Sequence, residues 1–432
     1  MAVSKSNLGN ATTVSSMLRT DSVVVEIGGS IRRITLEEFT NSIQTGSLNL
    51  SQYAFGVPLK YAVQSGTSWG VVGNTAMWQQ FKAQLGRYLL SSDGTKMAKL
   101  SKNDSTVYAD GTTVDETKGH IMFYGPRLYF LVKTDAVTGI PYLWGSPLPI
   151  GGHYVESRID GAYKGYVLNG KLVSRSGYAP SGTQTINSFF NYAKANGTNF
   201  GLSNYDFDRY MAMLNLFNFG NPNLQTNIGY GIGGSVSKDL FGAASSLLTG
   251  ATKSLGDNCG KIDITVVNGS NTGVDCSRIS EFGVEDRINW QLEMRQNIYF
   301  GSSSNSGQTG AEVFLYEGNR MPTSAELASH PNGNYRQLTR VTSEGWIKSI
   351  IGGEYFDILA ASLGGDSASY LTDYTRNNTT GQLCLFGGDA GRGADCGAFC
   401  VRSSSDFSVS ASNCGVRLAY YGTPTIVNGA DI

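Results

Sequence analysis

The chain has 432 residues, of which 55 are glycine and 10 proline; 11% are aromatic, and 16% are charged with a formal balance of −1. The aromatic content argues against a disordered chain, and the length suits two or three domains. No basic run extends beyond Arg32-Arg33, so nucleic acid is not an expected partner, and no stretch approaches the ~18 apolar residues of a membrane span, so no membrane insertion is expected.

The first twenty residues, MAVSKSNLGNATTVSSMLRT, are polar and have no apolar signal-peptide core. The expectation is assembly in a cytoplasm, with the six cysteines reduced. Residues 1–50 read as a separate region: SVVVEI at 22–27 as a strand, then Thr35-Leu36-Glu37-Glu38 as a capping box opening a short helix with Phe39 and Ile43 on one face. Residues 51–120 read as a small helix-containing connecting domain. Its helix follows Asn74-Thr75 and places Trp78, Phe81, Leu85, Tyr88 and Leu89 at helical spacing. Residues 96–120 are polar and turn-rich. Asp104, Asp110 and Asp115 lack the spacing of a calcium-binding loop, so a solvated loop is expected.

From Ile121 the texture turns to strands, and 121–432 reads as one larger domain. IMFYGPRLYFLV, the turn Thr138-Gly139 and the run Ile140–Trp144 predict a hairpin. Two amphipathic helices follow. One carries Ile186, Phe189, Phe190 and Ala193 and ends at Asn196-Gly197; the other carries Phe207, Tyr210, Met211, Leu214 and Phe217 and ends at Gly220. Strands are expected at 261–267, 289–300, 312–316, 336–342, 383–386, 396–401 and 415–421, giving an α+β fold. GYGIGG at 229–234 follows a helix and a polar turn rather than a strand, so it is not read as a nucleotide loop.

Chemistry-bearing motifs are sparse. H-x-E, H-E-x-x-H and C-x-x-C do not occur, and no histidine lies near Ser403–Ser412 or Cys396 in sequence. Cys396 and Cys400 are read as small buried side chains of a strand rather than zinc ligands. No enzyme activity, metal or cofactor is expected.

The C-terminus is unusual in composition. Residues 1–382 hold 55 Lys, Glu, Gln, Met and Trp residues, and residues 383–432 hold none. No codon ending in C encodes any of those five. Randomisation of the first two bases of AAC codons leaves this signature. Gly387-Gly388, then Cys396-Gly397-Ala398-Phe399, then VRSSSDFSVSASNCGVRLAYY resemble the variable region of diversity-generating retroelement target proteins. Those proteins carry C-type-lectin-like domains of the formylglycine-generating-enzyme type, often displayed on phage particles or cell surfaces. More loosely, residues 96–432 are similar to receptor-binding or fibre proteins of gut bacteriophages.

The resemblance implies a C-type-lectin-like domain over 121–432 with a variable segment at 383–417. Phe399, Phe407, Gly415, Arg417 and Leu418 would be framework. Asp389, Arg392, Asp395, Arg402, Ser404, Ser405, Asp406, Val409, Ala411 and Asn413 would be variable, outward-facing and ligand-binding, with Ser403, Ser408, Ser410 and Ser412 as fixed alternates. It further implies a virion surface protein that is anchored to other virion proteins through residues 1–50 and displayed as a homotrimer. Its ligand would be a bacterial surface protein or glycan. A structural head or tail decoration protein with a fixed domain is the alternative.

Overall fold

The structure, a computed structural model, describes residues 22–27, 30–44, 49–60, 69–234, 247–266, 274–316, 318–328, 335–369 and 371–432. Strands dominate and helices are few, a mixed α+β architecture.

At the N-terminus, Ser22–Ile27 pairs antiparallel with Ser30–Thr35, and the helix Leu36–Gln44 follows at once. The capping box forms as its sequence requires. The Thr35 amide donates to Glu38 Oε2 at 2.7 Å and the Glu38 amide to Thr35 Oγ1 at 3.1 Å, satisfying two otherwise orphaned donors. Phe39 and Ile43 are fully buried in a small core with Leu36, Tyr53, Leu148 and Ile150.

Three large sheets carry most of the rest, beside the hairpin of Tyr166–Leu168 with Lys171–Val173 and a three-stranded sheet of Gly260–Val266, Val274–Glu281 and Val284–Glu285. The first runs in the order His153–Val155, Leu128–Thr134, Pro141–Ser146, Phe55–Pro58, Val72–Gly73. The second runs Phe200–Leu202, Leu418–Tyr420, Arg158–Gly161, Gly119–Gly125, Gly86–Ser91, Lys96–Lys99, Thr425–Val427. The third and largest runs Tyr335–Thr339, Glu312–Tyr316, Leu292–Phe300, Leu383–Phe386, Val401–Ser405, Tyr374–Arg376, Glu344–Gly352, Asp357–Leu363; Cys414–Gly415 lies parallel to the start of Leu292–Phe300. The expected seam at 120/121 falls within the strand Gly119–Gly125. Strands from 86–99 share a sheet with strands from 418–427.

The helix Tyr205–Phe219 is buried on nearly every side, its polar members included: Asp208 pairs with Arg295 and Asn215 donates to Glu281. Asn204 caps its start, and Gly220, at φ 69°, ends it in the left-handed conformation glycine adopts without strain. The helix Ile186–Lys194 buries Ile186, Phe189 and Ala193 of its expected stripe, while Phe190 is half-buried at the edge of the same core. Among the described residues, no helix is long and apolar enough to cross a membrane.

Two local expectations change. The helix after Asn74 spans only Thr75–Lys82, and Tyr88 and Leu89 lie in the strand Gly86–Ser91. Tyr88 and Leu90 enter one core and Leu89 another, which is a period of two. Gly86 makes the switch at φ 139°, where a Cβ would come 2.1 Å from the Asp257 carboxyl. The run Ile121–Val132 also divides: Gly119–Gly125 joins the second sheet, while Leu128–Thr134 forms the expected hairpin with Pro141–Ser146. Pro126, which has no amide hydrogen to donate, sits at the break.

Candidate ligand-binding face

The C-terminal segment is laid over an ionic core that its sequence does not announce. Leu383–Phe386 and Val401–Ser405 are adjacent antiparallel strands inside the largest sheet. Between them the chain turns at Gly387 and Gly388, with φ of 82° and 69°, and a Cβ on Gly388 would meet the Cys396 side chain at 2.4 Å. Both glycines are therefore required by backbone conformation or by space.

Arg417 is fully buried. Its guanidinium donates to Glu293 Oε1 at 2.8 Å and to the carbonyls of Gly161 (3.1 Å), Ala162 (3.0 Å) and Glu285 (2.5 Å). Glu293 also pairs with Lys164 at 2.5 Å and Arg295 at 2.9 Å, and Arg295 reaches Asp208 at 2.6 Å. Burial works to raise the Glu293 carboxyl, but Arg417, Lys164 and Arg295 outweigh it and hold the group well below the ordinary carboxylate range. Burial pulls the Lys164 ammonium down to about 8 against the attraction of Glu293. Leu418 is buried beside Arg417 and pairs with Leu202. Gly415 pairs with Glu293, where a Cβ would come 2.5 Å from Gln291 Oε1. Phe399 is buried, and its amide donates to Asp373 Oδ2 at 2.7 Å.

Three of the charged candidates, Asp389, Arg392 and Arg402, border one shallow depression of about 10 Å3 together with Arg376, Cys396 and Cys400. Such a volume holds about one water, so a ligand would meet a surface rather than enter a cavity. Arg376 pairs with Asp395 at 2.5 Å and lies 4.6 Å from the Tyr374 ring. Arg392 stands 3.7 Å from Asp389, and Arg402 donates to Ser404 Oγ at 2.6 Å. Ser404 and Asp406 are exposed, while Arg392, Asp395, Arg402 and Ser405 are half-buried. The Asp406 carboxylate accepts from the Ser408 hydroxyl and amide, which lower its pKa.

The expected outward set differs from the observed one at several positions. Asp389 is buried. Its two oxygens accept from the Gly391 amide and from Asn413 Nδ2, each at 3.1 Å, so Asp389 and Asn413 tie two loops together. Val409 and Ala411 are half-buried against the core formed by Leu292, Met294, Leu383 and Val416, and Phe407 packs there too. The exposed alternates are Ser408, Ser410 and Ser412. The segment alternates with the period expected, but its apolar members face in, as hydrophobic burial requires, and its serines face out. Ser403 is buried.

The cysteines also differ from expectation. Cys396 and Cys400 are not in a strand. They flank the turn that drops Phe399 into the core, with the Cys400 amide donating to the Gly397 carbonyl at 3.3 Å. Their sulfurs lie against one another, with Cα atoms 5.0 Å apart, a spacing that a disulfide can span.

Arg376, Tyr374 and Asp373 belong to the neighbourhood but carry no signal in the C-terminal segment. A parallel strand pairing, Arg376 with Arg402, brings them in. The three aspartates of the 96–120 loop each accept from the threonine two residues on, Thr106, Thr112 and Thr117, as turn-formers do. Among the described residues, no cluster of three or more His, Cys, Asp or Glu side chains is arranged to hold a metal. The spacing G-x-S-x-G does occur once, as GTSWG at 66–70, but Gly66, Thr67 and Ser68 lie outside the described residues. No protein-family model matches the chain, and no curated protein matches it.

Proposed function

We propose that the chain is a virion surface protein, a fibre or receptor-binding module, that presents the C-terminal face to a ligand on a bacterial surface. In this reading the domain is C-type-lectin-like and the segment from 383 is sequence-diversified. Residues 1–50 attach it to the particle, and it is displayed as a homotrimer. Trimeric display would raise the apparent affinity of individually weak contacts by roughly two to four orders of magnitude.

The observation that carries the proposal is the absence of Lys, Glu, Gln, Met and Trp from 383–432, in a chain that otherwise uses all five. The geometry supports it in a physical sense. Variation is tolerable where side chains stand on a base that does not need them. Arg402, Ser404, Ser405 and Asp406 stand on or beside a central strand, while Arg417, Leu418 and Phe399 hold the segment from below. Arg392, Asp395 and Arg402 lead the contact set. Asp389, Val409 and Ala411 bear on packing, so variation there should be narrow.

The test is deep sequencing of the coding region for residues 370–432 across a propagated population. The expected result is substitution through first and second bases of AAC-type codons, concentrated at Arg392, Asp395, Arg402, Ser404, Ser405 and Asp406. An invariant segment would overturn diversification and would leave a fixed decoration protein of the head or tail as the better reading.

A further inference from the structure

The sheet that begins with His153–Val155 holds a cavity of about 760 Å3 lined by none of the C-terminal residues. Its size lies within the range of small-ligand pockets. Tyr142 and Trp144 sit two apart on the strand Pro141–Ser146 and so share one face. Their ring centroids are 5.9 Å apart and their planes lie within 23°.

Two glycines set the indole in place. A Cβ on Gly56 would come 2.6 Å from Trp144 Cε3, and one on Gly73 would come 2.8 Å from Cζ3. With no side chains there, the Trp144 ring lies against the backbone of two neighbouring strands. Both rings are half-buried, each with part of its surface open.

Five polar side chains, Asn49, Ser51, Lys133, Thr134 and Asp135, share the lining with Leu50, Val72 and Ala136. Asn49 spends its Oδ1 on capping the helix Leu50–Tyr53, accepting from the Ser51 amide (3.1 Å) and hydroxyl (2.8 Å), which leaves its Nδ2 to donate. Asp135 Oδ1 accepts from the Val137 amide (3.1 Å) and from the amide (2.7 Å) and hydroxyl (2.8 Å) of Thr138, so Oδ2 remains to accept. Lys133 is exposed, with no ion pair among the described residues. Ser51 adds a hydroxyl. The two charges, Lys133 and Asp135, cancel.

Donors and acceptors around two aromatic faces, one of them backed by glycine, with no net charge, select a particular chemistry. A pyranose ring offers weakly positive C–H faces to the negative faces of the rings, and hydroxyls around its edge to the polar groups. An ionic ligand would find no excess of opposite charge. A wholly apolar one would strip water from five polar groups and return no hydrogen bond. We propose that this cavity binds a neutral hexopyranoside, such as a terminal sugar of a glycan, independently of the C-terminal face.

The experiment is saturation-transfer NMR on the full chain with the methyl glycosides of glucose, galactose, mannose and N-acetylglucosamine. Saturable binding of at least one is expected, with a Kd on the order of 1 mM. Tyr142→Ala should weaken it roughly tenfold, Lys133→Ala should weaken it measurably, and Arg402→Ala should leave it unchanged. Lys133 is exposed, so its loss does not threaten folding. No saturable binding of any of the four, binding unchanged in both cavity variants, or binding lost in Arg402→Ala would each overturn the proposal.

Discussion

Replacing Arg417 by methionine tests whether the C-terminal segment is held by its buried charge. Methionine keeps the apolar stem but removes the donors that reach Glu293 and the carbonyls of Gly161, Ala162 and Glu285. Breaking one partner out of a buried ion pair costs about 3–5 kcal/mol. Glu293 keeps Lys164 and Arg295, which eases the loss, and the Ala162 carbonyl keeps the Glu285 amide at 2.8 Å, whereas the carbonyls of Gly161 and Glu285 lose the guanidinium. The net expectation is about 4 kcal/mol, a large share of a stability of about 5–15 kcal/mol. With a urea slope of about 3 kcal/mol per molar, the unfolding midpoint falls by roughly 1 M. Arg402→Met is the matched control. Arg402 is half-buried and, among the described residues, its side chain bonds only Ser404, so its replacement should stay within about 0.5 kcal/mol. Equal midpoints for the two variants would refute the reasoning and leave apolar packing as what docks the segment.

Two further outcomes follow from other parts of the structure. Burial pulls the His120 imidazole down to about 3, with Arg175 and Lys171 adding to it, and neither ring nitrogen has a hydrogen-bond partner among the described residues. The unfolded chain therefore takes up this proton first. The contribution is fully present above about pH 6.5 and is lost as pH falls toward 3, by about 2 kcal/mol between pH 6.5 and 5. His120→Phe, which suits the edge-on contact with Phe200, should remove that share of the acid sensitivity in urea titrations at the two pH values; an unchanged difference would count against a buried neutral ring. Gly388→Ala should destabilise by about 2 kcal/mol or more, because φ is positive there and the new methyl meets Cys396 at 2.4 Å. A near-neutral urea midpoint would show that the turn below the face can relax.

The parts legible in the sequence are those set by near neighbours along the chain. The capping box at Thr35, the helices at 186 and 205 with their Asn and Gly ends, and the strands at 22–27, 312–316 and 383–386 follow from side-chain periodicity and local hydrogen bonding. The composition of 383–432 is likewise a property of sequence alone. Tertiary structure decided the rest, because the partners are far apart in the chain. Tyr88 and Leu89 fit a helix until pairing with Gly119–Gly125 makes them a strand. Arg417 looks like any arginine until Glu293 and Gly161, 124 and 256 residues away, surround it. Arg376 enters the candidate face only through a parallel strand pairing. In the serine-rich segment the alternation was readable, but which half of it faces inward depends on the sheet beneath, and that sheet turned Val409 and Ala411 to the core and Ser408, Ser410 and Ser412 to the surface.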